Sequence, residues 1–428
     1  MLADAPRCGK TGAAIMAADL ICAERILVVT TASGRPVWKR GWADWSAMDR
    51  AVTVVTKTPK ALNPGVTIVG WPSVSEPKLR ALLLAVEWDL LILDEEHAAK
   101  NFSAKRTQAV YGTLVRDGEE LNTVTAIGAR AKRVWPLTGT PFPHDLSDTY
   151  PRLRALAPER LLENKERGWS DVLCYNDFLH RYCIVKMKQI SQFNRIPVVI
   201  GGRNEAELQE RMKGFWLRRT QADVGIRPPS YDILPLAVDE KIVRDLEKNA
   251  DVKAIMTAAT EGKTDKLEMH LGPLRRLTGT IKAHAAVEAV DDEFESGLDK
   301  LVLAYWHEDV GDLLEMALFK YGVVRLDGST SVADRATAED RFRQKKNRVF
   351  LAQIVAAGEA IDLSASAELW FVETSFSPKD MAQMSLRITN HTQTRNALVR
   401  VCALEGSIDE ALQASLLRLW TTINKVTT

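Results

Sequence analysis

The sequence lacks most of the features that would assign it quickly to a specialised class. Its five cysteines (Cys8, Cys22, Cys174, Cys183 and Cys402) are odd in number, scattered, and without a CxxC pair. Neither a zinc site nor a disulfide framework is indicated, and a reducing intracellular compartment fits best. No apolar stretch reaches the ~18 residues that a membrane span needs, and the N-terminus has no signal-peptide pattern. A soluble cytoplasmic or nuclear protein with no membrane partner is therefore expected. The net charge is only +1, so a surface for phosphates has to come from local clustering and not from global basicity. What remains is ordinary globular composition, 46% hydrophobic over 428 residues, enough for roughly two to four domains at ~100–200 residues each.

Against that background one stretch stands out, Trp88 to Asn101, WDLLILDEEHAAKN. An apolar run, Leu90 to Leu93, ends abruptly in Asp94, Glu95, Glu96 and His97. A short apolar run bounded by polar residues reads as a buried parallel strand. Carboxylates at the C-terminal end of such a strand lie where open α/β sheets bind ligands. Two adjacent acids there can hold Mg²⁺ and polarise a water, although acids also suit the start of a following helix.

Further N-terminal, Leu2 and Ala3 read as the end of a strand and Thr11 to Cys22 as an Ala-rich helix. Between them lie Cys8, Gly9, Lys10 and Thr11. Gly-Lys-Thr between strand and helix is the Walker A arrangement: backbone N–H groups cradle phosphates, Lys10 reaches the β/γ-phosphates, and Thr11 ligates Mg²⁺. The pattern is incomplete, because Asp4 stands at its first glycine. Ile26 to Thr31 and Val66 to Val69 read as strands, and Trp38 to Trp45 as a helix whose indoles are assigned to core packing. Alternation of strands and helices over residues 1–150 argues a doubly wound parallel sheet. Residues 151–298 read as mostly helical, with helices over Asn204 to Leu217, Val252 to Glu268 and Pro273 to Val290. In this stretch Arg218 and Arg219 suit either a phosphate contact or a solvated helix end. From Lys300 the alternation restarts, with strands at 301–306, 323–326, 349–354 and 369–373 and helices over Val310 to Lys320 and Val332 to Arg343. The fold class expected is α/β: two RecA-like lobes, 1–150 and 299–428, separated by helical insertions over 151–298.

The ordered set GKT, VVTTASGRPVW, WDLLILDEEHAAKN and LTGTP resembles the first motor lobe of helicase superfamily two. DEEH followed by KN and KRTQA resembles the Swi/Snf-type ATPases within it, and the insertions (FLHRYC, then GFWLRRTQADVGIRPPS) resemble the compact branch that contains annealing-type translocases. In the last third, Asp327 to Thr330 with Arg335 resembles the DGST motif, Ala356 to Leu363 motif V, and Ser377-Pro378 with Gln383 to Gln393 motif VI.

The resemblance implies an ATP- and Mg²⁺-dependent translocase working as a monomer on double-stranded DNA. Lys10, Asp94, Glu95 and Arg387 would carry catalysis, with Thr11 and Asp94 on the metal, Glu95 orienting the water and Arg387 acting as the arginine finger. Cys8, Gly9, Lys10, Thr11, Gly358, Asp362 and Gln383 would bind nucleotide, and His97 with Thr138 would relay phosphate state. DNA contacts would fall to Ser33, Lys39, Trp71, Ser73 and Thr138 in the first lobe, and to Ser329, Thr330, Arg335 and Ser364 in the second. Four departures stand out: Asn390 at a motif VI arginine, Arg7 at a Walker A glycine, Ala360 at a motif V glycine, and no upstream glutamine motif to read adenine. Asn390 and Arg7 keep open a degenerate motor that only binds DNA in response to nucleotide; a strand-separating helicase is the other alternative. A bare motor of this size suits a bacterial or viral genome.

Overall fold

The computed structural model describes residues 1–115, 120–139, 145–191, 194–239, 241, 264–357, 361–375, 378–391, 393–407, 409–414 and 417. It divides into two compact units, Met1–Thr220 and Gln221–Thr428. The segment expected as an inter-lobe insertion is thus shared: 151–220 packs with the first unit and 221–298 with the second.

The first unit contains strands β1 (Ile26–Thr30), β2 (Val52–Val54), β3 (Val66–Gly70), β4 (Leu90–Asp94), a small antiparallel hairpin of β5 (Thr113–Val115) with β6 (Glu120–Asn122), and β7 (Val134–Leu137). Its main sheet is parallel throughout, in the order β2-β3-β1-β4-β7. Residues on β1 and β4 alternate between two cores. Leu27, Val29, Leu91 and Leu93 face one side with Trp71 and Trp88. Ile26, Val28, Leu90 and Ile92 face the other with Trp38 and Trp42. Strands buried on both faces are what unbroken apolar runs such as Leu90 to Leu93 require.

Beyond β7 the sheet is extended by the N-terminal segment. Leu2 bridges in parallel to both Leu137 and Leu217, and its N–H donates to the Pro136 carbonyl at 2.8 Å. The expected strand end at Leu2 and Ala3 is therefore a sheet element, and it launches the loop that precedes helix α1 (Lys10–Leu20).

The mostly helical reading of the middle segment needs correction. Strands β8 (Cys183–Ser191) and β9 (Asn194–Gly202) form an antiparallel hairpin, and the helix expected over Asn204 to Leu217 ends at Met212. After it the chain turns at Gly214, φ 77°, and Leu217 and Arg219 then pair with the N-terminal segment.

The second unit holds β10 (Ser230–Leu236), β11 (Leu301–Tyr305), β12 (Val323–Leu326), β13 (Val349–Gln353), β14 (Glu368–Phe371) and β15 (Leu398–Leu404). They form a parallel sheet in the order β10-β15-β14-β11-β13-β12. The helix expected from Pro273 is part of a longer one, Thr264–Glu295, which packs Ala283, Ala286 and Val290 onto one face. Residues 252–263 of the helix expected before it lie outside the described residues. Helices Glu308–Leu318 and Val332–Arg343 follow as expected, so both lobes of the two-lobed α/β reading stand as parallel sheets.

Candidate active site

In a parallel sheet all strand C-termini share one edge, so β1, β3, β4, β7 and the N-terminal segment all deliver their ends to the same side. Asp94 closes β4 there. Its Oδ2 accepts hydrogen bonds from Thr30 Oγ1 at 2.6 Å and Trp38 Nε1 at 2.8 Å, and its main-chain carbonyl accepts from Trp71 Nε1 at 2.8 Å. Close packing around the carboxyl pushes its pKa up to about 6, and the charge of Glu95 adds to the rise. The bonds from Thr30 and Trp38 and the charge of Lys10 work in the opposite direction.

Glu95 follows in left-handed backbone, φ 49°. Non-glycine residues rarely adopt that region, at a cost of order 1–3 kcal/mol. Four described non-glycine residues do so, and two of them, Arg7 and Glu95, lie in this site. Glu95 Oε2 is 3.1 Å from His97 Nδ1, and that nitrogen is 3.2 Å from Thr138 Oγ1. The structure therefore brings Glu95, His97 and Thr138 together. Glu96 points the other way: it is fully buried, 2.9 Å from Arg152 Nη2, and accepts from Tyr111 Oη at 2.7 Å. The acidic run thus splits into two carboxylates at the sheet edge and one in the core.

The loop before α1 carries two left-handed residues ahead of the helix. Gly9 caps the helix at φ 79°, and Arg7, at the position of the family's glycine, is itself left-handed at φ 70°. Lys10 Nζ donates to the carbonyls of Asp4 at 2.9 Å and Ala5 at 3.1 Å. Burial lowers the Lys10 pKa, and the charges of Glu95 and Asp94 oppose that shift. Asp4, fully buried at the incomplete motif's first position, accepts from the Arg219 N–H at 2.8 Å and from its Nε at 3.0 Å. Of the paired arginines, then, Arg219 anchors the phosphate loop to residues 217–219. Cys8 is buried, with its thiol near the Pro6 and Arg219 carbonyls, and offers only backbone to a ligand.

These groups fit a phosphate chain and a divalent cation. The two donors to Asp94 converge on Oδ2, which leaves Oδ1 for a cation, and Thr11 stands in the first turn of α1. Neither Thr30 nor Trp38 was singled out from the sequence; the available signal was that a buried indole N–H needs an acceptor.

The candidate DNA contacts divide. Lys39 and Ser329 are exposed, and Ser33, Ser73, Thr330 and Ser364 are partly exposed. Trp71 and Thr138 are corrections: both are buried, one bonded to Asp94 and the other beside His97, so neither side chain presents a surface to a duplex. Arg335 is partly exposed. Its guanidinium donates to the carbonyls of Asp327 (2.7 Å), Ala356 (2.9 Å) and Thr330 (3.3 Å), clamping the DGST loop onto the neighbouring turn.

In the second unit Gln383 lies on helix Pro378–Ser385 and Arg387 on the turn after it, both partly exposed. Asn390 Nδ2 donates to Ser364 Oγ and, at 3.4 Å, to Asp362 Oδ2. Asp362 is also 3.4 Å from Arg343, and its N–H donates to Glu339. Gly358, Ala360, Ser377, Thr140 and Pro141 lie outside the described residues.

The helicase conserved C-terminal domain matches residues 282–391. The SWI/SNF-related matrix-associated actin-dependent regulator of chromatin subfamily A-like protein 1 of Xenopus tropicalis is 25% identical over 422 residues, 96% of this chain and 41% of the relative. The mouse DNA annealing helicase and endonuclease ZRANB3 is 22% identical over 98% of this chain and 38% of its own length. The chain thus spans about two fifths of the length of these relatives. They are animal proteins, and the bacterial or viral source expected above finds no support in them. Among solved structures, the Sulfolobus solfataricus SWI2/SNF2 ATPase core in complex with dsDNA aligns over 96% of this chain and 85% of that one, at 18% identity and a TM-score of 0.41. Among the described residues no helix is long and apolar enough to cross a membrane. The resemblance carried by the motifs is matched along nearly the whole chain, which is similar to SWI/SNF-related proteins and annealing helicases and carries a match to the helicase conserved C-terminal domain.

Proposed function

We propose that the chain hydrolyses ATP in response to duplex DNA and uses the energy to translocate along it without separating the strands. The observation that carries this reading is the meeting of Lys10, Asp94 and left-handed Glu95 at one sheet edge. In this reading the N-terminus of α1 and the loop N–H groups hold the phosphates. Lys10 exchanges the carbonyls of Asp4 and Ala5 for phosphate oxygens. Thr11 and Asp94 would hold Mg²⁺, which when bound would supply charge neutralisation to the phosphates. Glu95, steadied by His97, orients the attacking water, and Arg387 of the second unit is assigned the positive charge that stabilises the transferring phosphate. Gln383 and Asp362 are assigned to the nucleotide. Ser33, Lys39, Ser73, Ser329, Thr330 and Ser364 are assigned to the DNA backbone, contacts that position without reading sequence.

A second reading, a nucleotide-responsive DNA-binding module with little turnover, is favoured by one observation: at a motif VI arginine position stands Asn390, whose amide holds Asp362 and Ser364. Phosphate release measured with duplex DNA, single-stranded DNA and RNA separates the two. The motor reading expects release that rises with duplex and disappears in Lys10→Ala. Duplex binding without release under any condition would leave only the second reading. A forked substrate that comes apart would show strand separation instead.

A further inference from the structure

Asp94 is held by groups that no motif reading assigned to it, and we propose that Trp38 and Thr30 are positioning residues for the metal-bearing carboxylate. The inference rests on the proposed function in one respect: it takes Asp94 as a metal ligand.

Three observations carry it. First, the two donors come from separate elements, the last residue of β1 and the helix Gly34–Trp45, yet both reach the same oxygen, Oδ2, at 2.6 and 2.8 Å. A carboxylate with both side-chain donors on one oxygen has its plane fixed and its other oxygen directed, and outer-shell bonds of this kind set how a metal ligand is presented. Second, the carbonyl of the same residue accepts from Trp71 Nε1 at 2.8 Å, so the main chain is fixed as well as the side chain. Third, the packing leaves no slack. A Cβ at Gly34 would lie 2.1 Å from Thr30 Oγ1, so any side chain there would drive the hydroxyl off Asp94. Trp38 is 1% exposed and Trp71 3%, which fixes both rings in the core while their N–H groups reach the sheet edge. Core packing alone would be met by phenylalanine at either site; hydrogen bonds to Asp94 require indole.

The test uses the full chain with Mn²⁺ as the probe, its affinity in the presence of ADP read by electron paramagnetic resonance. Thr30→Val is nearly isosteric and Trp38→Phe keeps an aromatic ring in the core, and each removes one donor. ADP affinity in EDTA and the melting temperature serve as controls. Each variant is expected to weaken Mn²⁺ binding by about 10–100-fold, as loss of outer-shell partners does, with metal-free ADP affinity nearly unchanged and melting lowered only as far as one lost buried hydrogen bond and a small cavity require. The double variant should lose less than the product of the two single losses, because both act through one oxygen. Mn²⁺ affinity in Trp38→Phe and Thr30→Val within about twofold of wild type would overturn the proposal and leave the motor reading intact. Wild-type protein that binds no Mn²⁺ with ADP would overturn both. A loss of metal affinity matched by an equal loss of metal-free ADP affinity would mean a disturbed fold and would also count against the positioning role.

Discussion

Asp94 and Asp327 are the same residue at the same kind of place, the C-terminal end of a parallel strand, one in each unit. Their surroundings are opposite. Asp94 receives two side-chain bonds on one oxygen and sits beside Glu95, and its pKa is pushed up to about 6. Asp327 Oδ1 accepts from the N–H and hydroxyl of both Ser329 and Thr330, and Oδ2 is 3.0 Å from Arg325. Although burial pulls its pKa upward, those bonds hold it below the ordinary carboxylate range. A carboxylate whose capacity is spent within its own loop stabilises that loop; one left crowded and under-supplied has affinity to give to a ligand. The contrast extends to Arg335 and Asn390, both spent on internal bonds.

That comparison can be broken at several points. The largest expected effect lies beside Asp94 but belongs to the structural class: Glu96→Ala strands Arg152 in the core. Removing one member of a buried pair costs about 3–5 kcal/mol, which thermal or urea unfolding would register. Next, Asp327→Ala should cost about 2 kcal/mol at neutral pH, since bonds to a charged group contribute about 1.5–3 each and part is regained from water. The sign follows from linkage: a carboxyl with a depressed folded pKa stabilises above its unfolded pKa of about 3.9, and that stability fades as pH falls through the folded value. The gap between wild type and Asp327→Ala should therefore be full at pH 7 and narrow below about pH 4. A gap independent of pH would mean that the loop does not depend on the charge. Smallest, Asn390→Ala should lower stability by about 1 kcal/mol and leave phosphate release within a few-fold of wild type. A collapse of turnover would place Asn390 in the catalytic set.

Much of this was legible beforehand because parallel strands buried on both faces advertise themselves. The runs at 26–30, 90–94, 301–305 and 349–353 fall within a residue of expectation. The hairpin of β8 and β9 departs from the helical expectation, and its one local signal is the period-two alternation of Val185, Lys186, Met187 and Lys188. β10 was hidden by the prolines that flank and interrupt it, Pro228, Pro229 and Pro235. In the site, GKT and DEEH named Lys10, Asp94 and Glu95 directly. Spacing could not reveal that Glu96 turns inward to Arg152, that Arg219 meets Asp4 across most of the first unit's sequence, or that Trp38 and Trp71 donate to Asp94. Those are long-range pairings, fixed by the sheet order and not by neighbours in sequence.

The most direct test of the account compares wild type with Asp94→Asn, measuring duplex-stimulated phosphate release alongside thermal melting. Asparagine keeps the acceptor for Thr30 and Trp38 and removes the charge. The account predicts that release falls by roughly a hundredfold or more, the scale of losing a metal-bearing carboxylate, while melting barely moves. Release retained within about tenfold, or lost only together with the fold, would contradict the claim that Asp94 acts on a ligand and not on its own unit.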